Sequence, residues 1–140
     1  MAEESTTLDL AELTRKQFEA VNRRDLETVM SFCPPDGVYD VSPSGLGTFE
    51  GQAAVRGFIK DWWDSFEDLR FELEEVLDVG HGVVLAVVHQ DARPLDSAGR
   101  VQRREAYVLQ WAGSTTERVT TYADIDAARA AAERLAEERA

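Results

Sequence analysis

Six consecutive apolar residues, Val83-Val84-Leu85-Ala86-Val87-Val88, constrain this chain more than any other stretch. Read as a strand, the run is apolar on both faces and must be covered on both. The segment before it alternates instead. Leu69, Phe71, Leu73, Leu77 and Val79 point one way, while Arg70, Glu72, Glu74 and Asp78 point the other, with Glu75 as the exception on the apolar side. Gly80-His81-Gly82 turns between the two. Pro94–Gly99 is a loop, Arg100–Trp111 runs back, and Ala112-Gly113-Ser114 leads into a last strand, Thr115–Tyr122. The helices can cover only one face of Val83–Val88, which leaves the other in need of a partner.

Leu10, Leu13, Phe18 and Val21 recur at helical spacing behind an Asp9/Glu12 capping box. Residues 1–6 are polar and expected to fray. Asp25 caps a second helix carrying Leu26, Val29, Met30 and Cys33 on one side, and Pro34-Pro35 ends it. Gly37–Ser42 reads as a short strand and Ser42–Gly47 as a loop. From Gln52 to Phe66 a third helix shows Val55, Phe58, Ile59, Trp62 and Phe66 along one side, widened by Trp63. Asp124 caps an alanine-rich final helix supported by Arg129/Glu133 and Arg134/Glu138 pairs.

At 140 residues the chain, 1–140, makes one domain with one core. Its net charge of -12 and the absence of a basic stripe exclude nucleic acid and anionic membrane surfaces as partners. One cysteine rules out an intrachain disulfide and fits a reducing compartment. With no signal-peptide pattern and no apolar run approaching the roughly 20 residues of a membrane span, a soluble cytoplasmic protein is expected.

Four stretches resemble the NTF2-like superfamily and, within it, the SnoaL-like/ketosteroid-isomerase-like family. They are Phe18–Met30, Asp36–Asp40, Phe49–Phe58 and Thr121–Arg129. The resemblance implies an α+β cone: a strongly curved, mostly antiparallel sheet, three N-terminal helices closing a pocket on its concave side, and a short C-terminal helix. It also implies a homodimer through the opposite sheet face. The residues argue for the same dimer, because Val84, Ala86, Val88, Ala106, Val108 and Tyr122 would otherwise lie bare. Ketosteroid isomerases carry a tyrosine on helix one, a general-base aspartate after the short strand and a protonated aspartic acid on a later strand. These fall at Gln17, Val41 and near Tyr107, and all three differ.

Polar residues set among apolar ones mark the candidate pocket. If paired residue numbers sum to 194 across the Pro94–Gly99 hairpin, His89 faces Glu105, Asp91 faces Arg103, Val87 faces Tyr107 and Leu85 faces Leu109. A slip of one residue would send each to the other face. In this register His89 is a general base, Glu105 its orienting partner and Tyr107 a donor to a developing oxyanion. The structural alternatives are an edge pair for His89 and Glu105 and a core role for Tyr107. Gln17, Phe58, Trp62, Trp63, Leu109 and Thr121 are candidate ligand contacts. Either Tyr39 or Asp40 joins them, since only one can point inward. Two histidines and one cysteine far apart make no zinc site, and no phosphate loop or nucleophile elbow is present.

The function expected is cofactor-free isomerisation, dehydration or cyclisation of a small apolar or aromatic carbonyl compound. A non-catalytic binder with the same pocket, or an interaction module working through the outer sheet face, are the alternatives.

Overall fold

A computed structural model of the protein describes residues 9–140. The expected frayed segment 1–6 lies outside the described residues. Helix α1 (Leu10–Asn22) starts where the Asp9 carboxylate accepts the Glu12 N–H at 3.0 Å. Helix α2 (Leu26–Met30) is capped by Asp25 and α3 spans Gln52–Asp64. Between them lie β1 (Val38–Asp40), a 3-10 turn at Ser42–Ser44 and β2 (Thr48–Glu50). The sequence reading had no β2. Its Phe49 pairs with Tyr39 on β1. Then come β3 (Phe66–Gly80), β4 (Val83–Pro94), β5 (Val101–Ala112), β6 (Thr115–Tyr122) and α4 (Ile125–Glu138).

The strands form one curled, unclosed sheet in the order β2-β1-β6-β5-β4-β3, antiparallel except where β1 runs parallel to β6. Residues of α1, α2 and α3 pack with the inner face: Phe18, Val29, Ile59 and Trp63 share a core with Phe71, Val84, Ala86, Val88, Tyr107 and Leu109. The outer face belongs to α4. Ala128, Ala132 and Ala136 lie on Val83, Leu85, Val87, Ala106 and Val108. Alanine there lets the helix come close to the sheet. This is how the apolar run Val83–Val88 is covered on both sides within one chain. It also removes the bare face that argued for a homodimer: Val84, Ala86 and Val88 point inward, and Ala106 and Val108 lie under α4.

A bulge in β3 corrects the reading of Glu75. Leu73 pairs with Val88 and Glu75 with Val87, so Glu74 is the extra residue and the alternation reverses beyond it. Glu75 therefore faces outward. Arg129 of α4 donates two hydrogen bonds to it, at 2.8 and 2.6 Å, in place of the expected i, i+4 pair with Glu133. Leu77 turns outward with it and is 45% exposed, while Val76 takes the inner position.

β3 is an edge of the sheet, and the end of α1 is fastened to it. The Asn22 side chain accepts the Phe71 N–H and donates to the Phe71 carbonyl, both at 2.8 Å. Arg24 donates to the Phe66 carbonyl at 3.1 Å. Asn22→Ala leaves two backbone groups without these partners. It is expected to lower unfolding free energy by about 1–3 kcal/mol, read from a urea titration.

Candidate functional site

Two adjoining cavities occupy the inside of the cone. The inner one, about 60 Å³, lies against the helices and is lined by Gln17, Phe18, Met30, Trp63, Phe71 and Leu109 among others. The outer one, about 20 Å³, lies under the Ser42–Gly47 loop between Ser44, Leu46, Phe58, Arg103, Glu105 and Thr121. Tyr39, Trp62 and Tyr107 line both and form the partition. The aromatic wall is continuous: Phe49 stacks on Phe58 at 4.3 Å, Phe58 on Trp62 at 6.3 Å, and Trp62 meets Phe71 at 5.6 Å.

The polar end of this space is built on β5. Glu105, Tyr107 and Leu109 alternate along its inner face. The Glu105 side chain is 5% exposed, and its Oε1 has no hydrogen-bond partner among the described residues. The Arg103 guanidinium stands 3.6 Å away, a loose contact. Burial pushes the Glu105 carboxyl above the ordinary range, and Arg103 and Tyr107 pull it back only partly. Burial, with Tyr39 and Glu105 close by, raises Tyr107 well above a normal phenol. Tyr39 is pushed up to about 12 by burial and by Glu105. Both tyrosines therefore keep their protons at neutral pH and serve as donors. The buried Thr121 hydroxyl, also unpartnered, adds a fourth oxygen. A carboxylic acid held neutral in an apolar site can donate a hydrogen bond, as an ionised one cannot.

His89 does not belong to this group. Residue numbers across the β4–β5 hairpin sum to 193, so Val88 faces Glu105 and His89 faces Arg104. His89 lies on the opposite sheet face from Glu105, with Glu72 as its other cross-strand neighbour. The alternate residues explain the slip. Val87 and Leu85 pack as well under α4 as Val88 and Ala86 do against the helices, so an apolar run of this kind carries no face preference of its own. Asp91 and Arg103 are separated too: Asp91 faces Gln102 and accepts from Arg100 at 2.9 Å.

Of the β1 pair, Tyr39 points in and Asp40 points out. Asp40 lines neither cavity. Its carboxylate accepts from the Ser42 N–H at 3.0 Å, from Thr48 at 3.1 Å and from Arg118 at 2.7 Å, besides the Ser42 hydroxyl. Burial alone would raise its pKa, but the Ser42, Arg118 and Thr48 donors together outweigh burial and hold it at about 2 against an ordinary 3.8. A depressed carboxyl stabilises the fold above the unfolded pKa and loses that contribution as pH falls through the folded one. Asp40→Asn is thus expected to cost ~2 kcal/mol at pH 7 and almost nothing near pH 2, measured by denaturant unfolding at both.

Gln17, Trp63 and Leu109 line the inner cavity, Phe58 and Thr121 the outer, and Trp62 both. Arg103, set opposite Asp91 in the sequence reading, lines the outer cavity beside Glu105 instead. Arg103 lies two positions before Glu105 on the same face, a signal visible once the register is right. Gln90, 3% exposed with an unpartnered Oε1, also faces inward but lines neither cavity. Among the described residues, no helix is long and apolar enough to cross a membrane.

Known proteins share this architecture. The SnoaL-like domain matches residues 14–137. No curated protein matches the sequence. An NTF2-like protein of unknown function from Burkholderia pseudomallei superposes with a TM-score of 0.74 at 20% identity, over 86% of this chain and 95% of that one. TerC, co-crystallised with polyporic acid, superposes at 0.71 with 17% identity over 88% and 96% of the two chains. The epoxide hydrolase/cyclase-like enzyme SalBIII, tied to pyran ring formation in the polyether salinomycin, gives 0.70 with 15% identity over 79% and 87%. At such identities the likeness speaks for the fold alone. The family match over most of the chain, on a curled six-stranded sheet with a polar-ended cone, places the protein in the SnoaL-like domain family.

Proposed function

We propose that the cone binds a small apolar molecule through an acceptor oxygen, a carbonyl or epoxide, and that Glu105 acts on that oxygen as a neutral acid beside Tyr107. The observation that carries this reading is the buried Glu105 carboxyl with an unpartnered oxygen, where two protonated tyrosines converge. Of the residues lining the two cavities, Glu105 is the sole carboxylate and none is a histidine. One group then serves twice. Glu105 gives its proton to the oxygen as a C–O bond opens or a carbonyl enolises. It recovers a proton from the attacking hydroxyl or carbon of the same substrate. No atom is gained or lost, so the net reaction is an isomerisation or a cyclisation without a cofactor. The ligand is small, or Trp62 moves aside for it, because the cavities fall well below the roughly 300–1,000 Å³ of sites that enclose drug-sized molecules.

That small volume also favours a second reading, a binder without turnover. The test uses a panel of hydroxy-epoxides, aryl ketones and hydroxyquinones, scored by thermal shift and then by turnover. On this proposal a ligand stabilises wild type and Glu105→Gln alike, while turnover in Glu105→Gln falls by about 10²–10³-fold. Binding with no turnover in wild type leaves the binder. A panel in which Glu105→Ala and Tyr107→Phe respond as wild type does removes these residues from the site.

A further inference from the structure

The rim of the outer cavity carries a cation that the fold leaves almost uncompensated. Of the residues lining the two cavities, Arg103 is the only basic one. Its side chain is 54% exposed, and its single ion pair among the described residues is the 3.6 Å contact with Glu105, too long for a hydrogen bond. Its neighbour across β4 is the neutral Gln90. Nearby arginines are served differently. Arg104 reaches Glu74 at 2.7 Å, Arg118 reaches Asp40 at 2.7 Å, and Arg100 reaches Asp68 and Asp91, both at 2.9 Å. With 27 acidic residues against 15 basic ones, carboxylates are not scarce in this chain. A neutral Glu105, which its proposed role as an acid requires, leaves the guanidinium facing no anion in the cavity. Leu46 lines the same cavity and is 56% exposed, so an apolar surface and an under-used cation border one opening.

We infer that Arg103 is a specificity residue, and that it takes a carboxylate carried by the ligand at the rim of the cone. The inference rests on the pocket reading above and narrows the ligand to an otherwise apolar keto or epoxy acid. Its acceptor oxygen lies at Glu105 and Tyr107, and its carboxylate at Arg103. A guanidinium has donors only, so the group it recognises must accept. Its planar fork matches the two oxygens of a carboxylate. A cationic ligand would meet like charge there. A phosphate dianion would bring a second negative charge with no second cation in the lining to meet it. The net charge of -12 repels anions in general, so a carboxylate is held only where a local donor outweighs that field.

Benzoate and benzamide have nearly the same shape and both offer a carbonyl oxygen, but only benzoate is charged at neutral pH. Titration of the full chain at low salt, followed by amide chemical shifts, is expected to show benzoate binding about tenfold more tightly than benzamide. The shifts should centre on Arg103, Glu105 and Thr121. Added salt should weaken benzoate and leave benzamide unchanged. Arg103→Gln removes the charge from a half-exposed side chain and is expected to abolish the preference. Glu105→Gln is expected to keep it. Equal binding of the two probes to wild type, a preference that survives Arg103→Gln, or benzoate shifts centred elsewhere overturns the inference while leaving the proposed role of Glu105 standing. Loss of the preference in Glu105→Gln but not in Arg103→Gln does the same, by assigning the discrimination to Glu105. Failure of both probes to bind wild type overturns this inference and the pocket reading with it.

Discussion

Glu105→Gln should be more stable than wild type at pH 8 and should lose that advantage in acid. The Glu105 carboxyl is raised in the folded chain by burial, so the folded state keeps a proton that the unfolded state gives up. Below the unfolded pKa both states are protonated and the residue carries no penalty. As pH climbs through the folded value, the native state must ionise a buried group whose nearest cation is a loose 3.6 Å contact, and stability falls. Glutamine fills the same space and does not titrate. A gain of about 1–3 kcal/mol at high pH is expected, with the slope of stability against pH reduced by one proton. Urea unfolding of both proteins across pH 4–9 reads it. Parallel curves would mean that Glu105 stays ionised and well solvated, and its role as an acid would fall. A residue that lowers stability where glutamine would not is the kind that function retains.

Phe71→Ala carries the largest expected loss. The ring is buried among Phe18, Trp62 and Tyr107, with centroids at 6.1, 5.6 and 6.4 Å. Truncation empties a position shared by helix α1, helix α3 and the sheet, and none can close the gap without moving the others. A loss of about 3–5 kcal/mol is expected from denaturant unfolding. Against a typical total of about 5–15 kcal/mol, that brings the fold near its limit. Phe71→Leu should lose much less, which separates volume from aromatic character. A small effect of Phe71→Ala would mean that the inner face is loosely packed and that the cavity is larger than about 60 Å³.

Element order apart from β2, the caps at Asp9, Asp25 and Asp124, and the helical cover on the inner face are legible in the sequence, because each leaves a local mark. Which residue faces which is less so. The hairpin register turns on one number, 194 against 193, and opposite-charge pairing favoured the wrong value. In the fold, charge pairs form across other strands: Arg100 reaches Asp68 and Asp91, and Arg104 reaches Glu74. The bulge at Glu74 has no glycine to announce it, so alternation carried Glu75 and Leu77 to the wrong face. Tyr39 and Asp40 could be told apart only by the donors that Ser42, Thr48 and Arg118 bring from three elements. Glu105 and Tyr107, by contrast, share a face in either register, because they sit two apart on one strand.

The fastening of α1 to β3 has a consequence for how the protein behaves in a crowd of its own copies. β3 ends the sheet, and fifteen residues of open strand are a template on which another chain can add. Asn22 fills both free backbone groups of Phe71 with a side-chain amide, and Arg24 fills the carbonyl of Phe66. An incoming strand must strip these away before it can pair along that stretch. Loosening of α1 would therefore show itself first as self-association along this edge, while the interior of each cone was still intact.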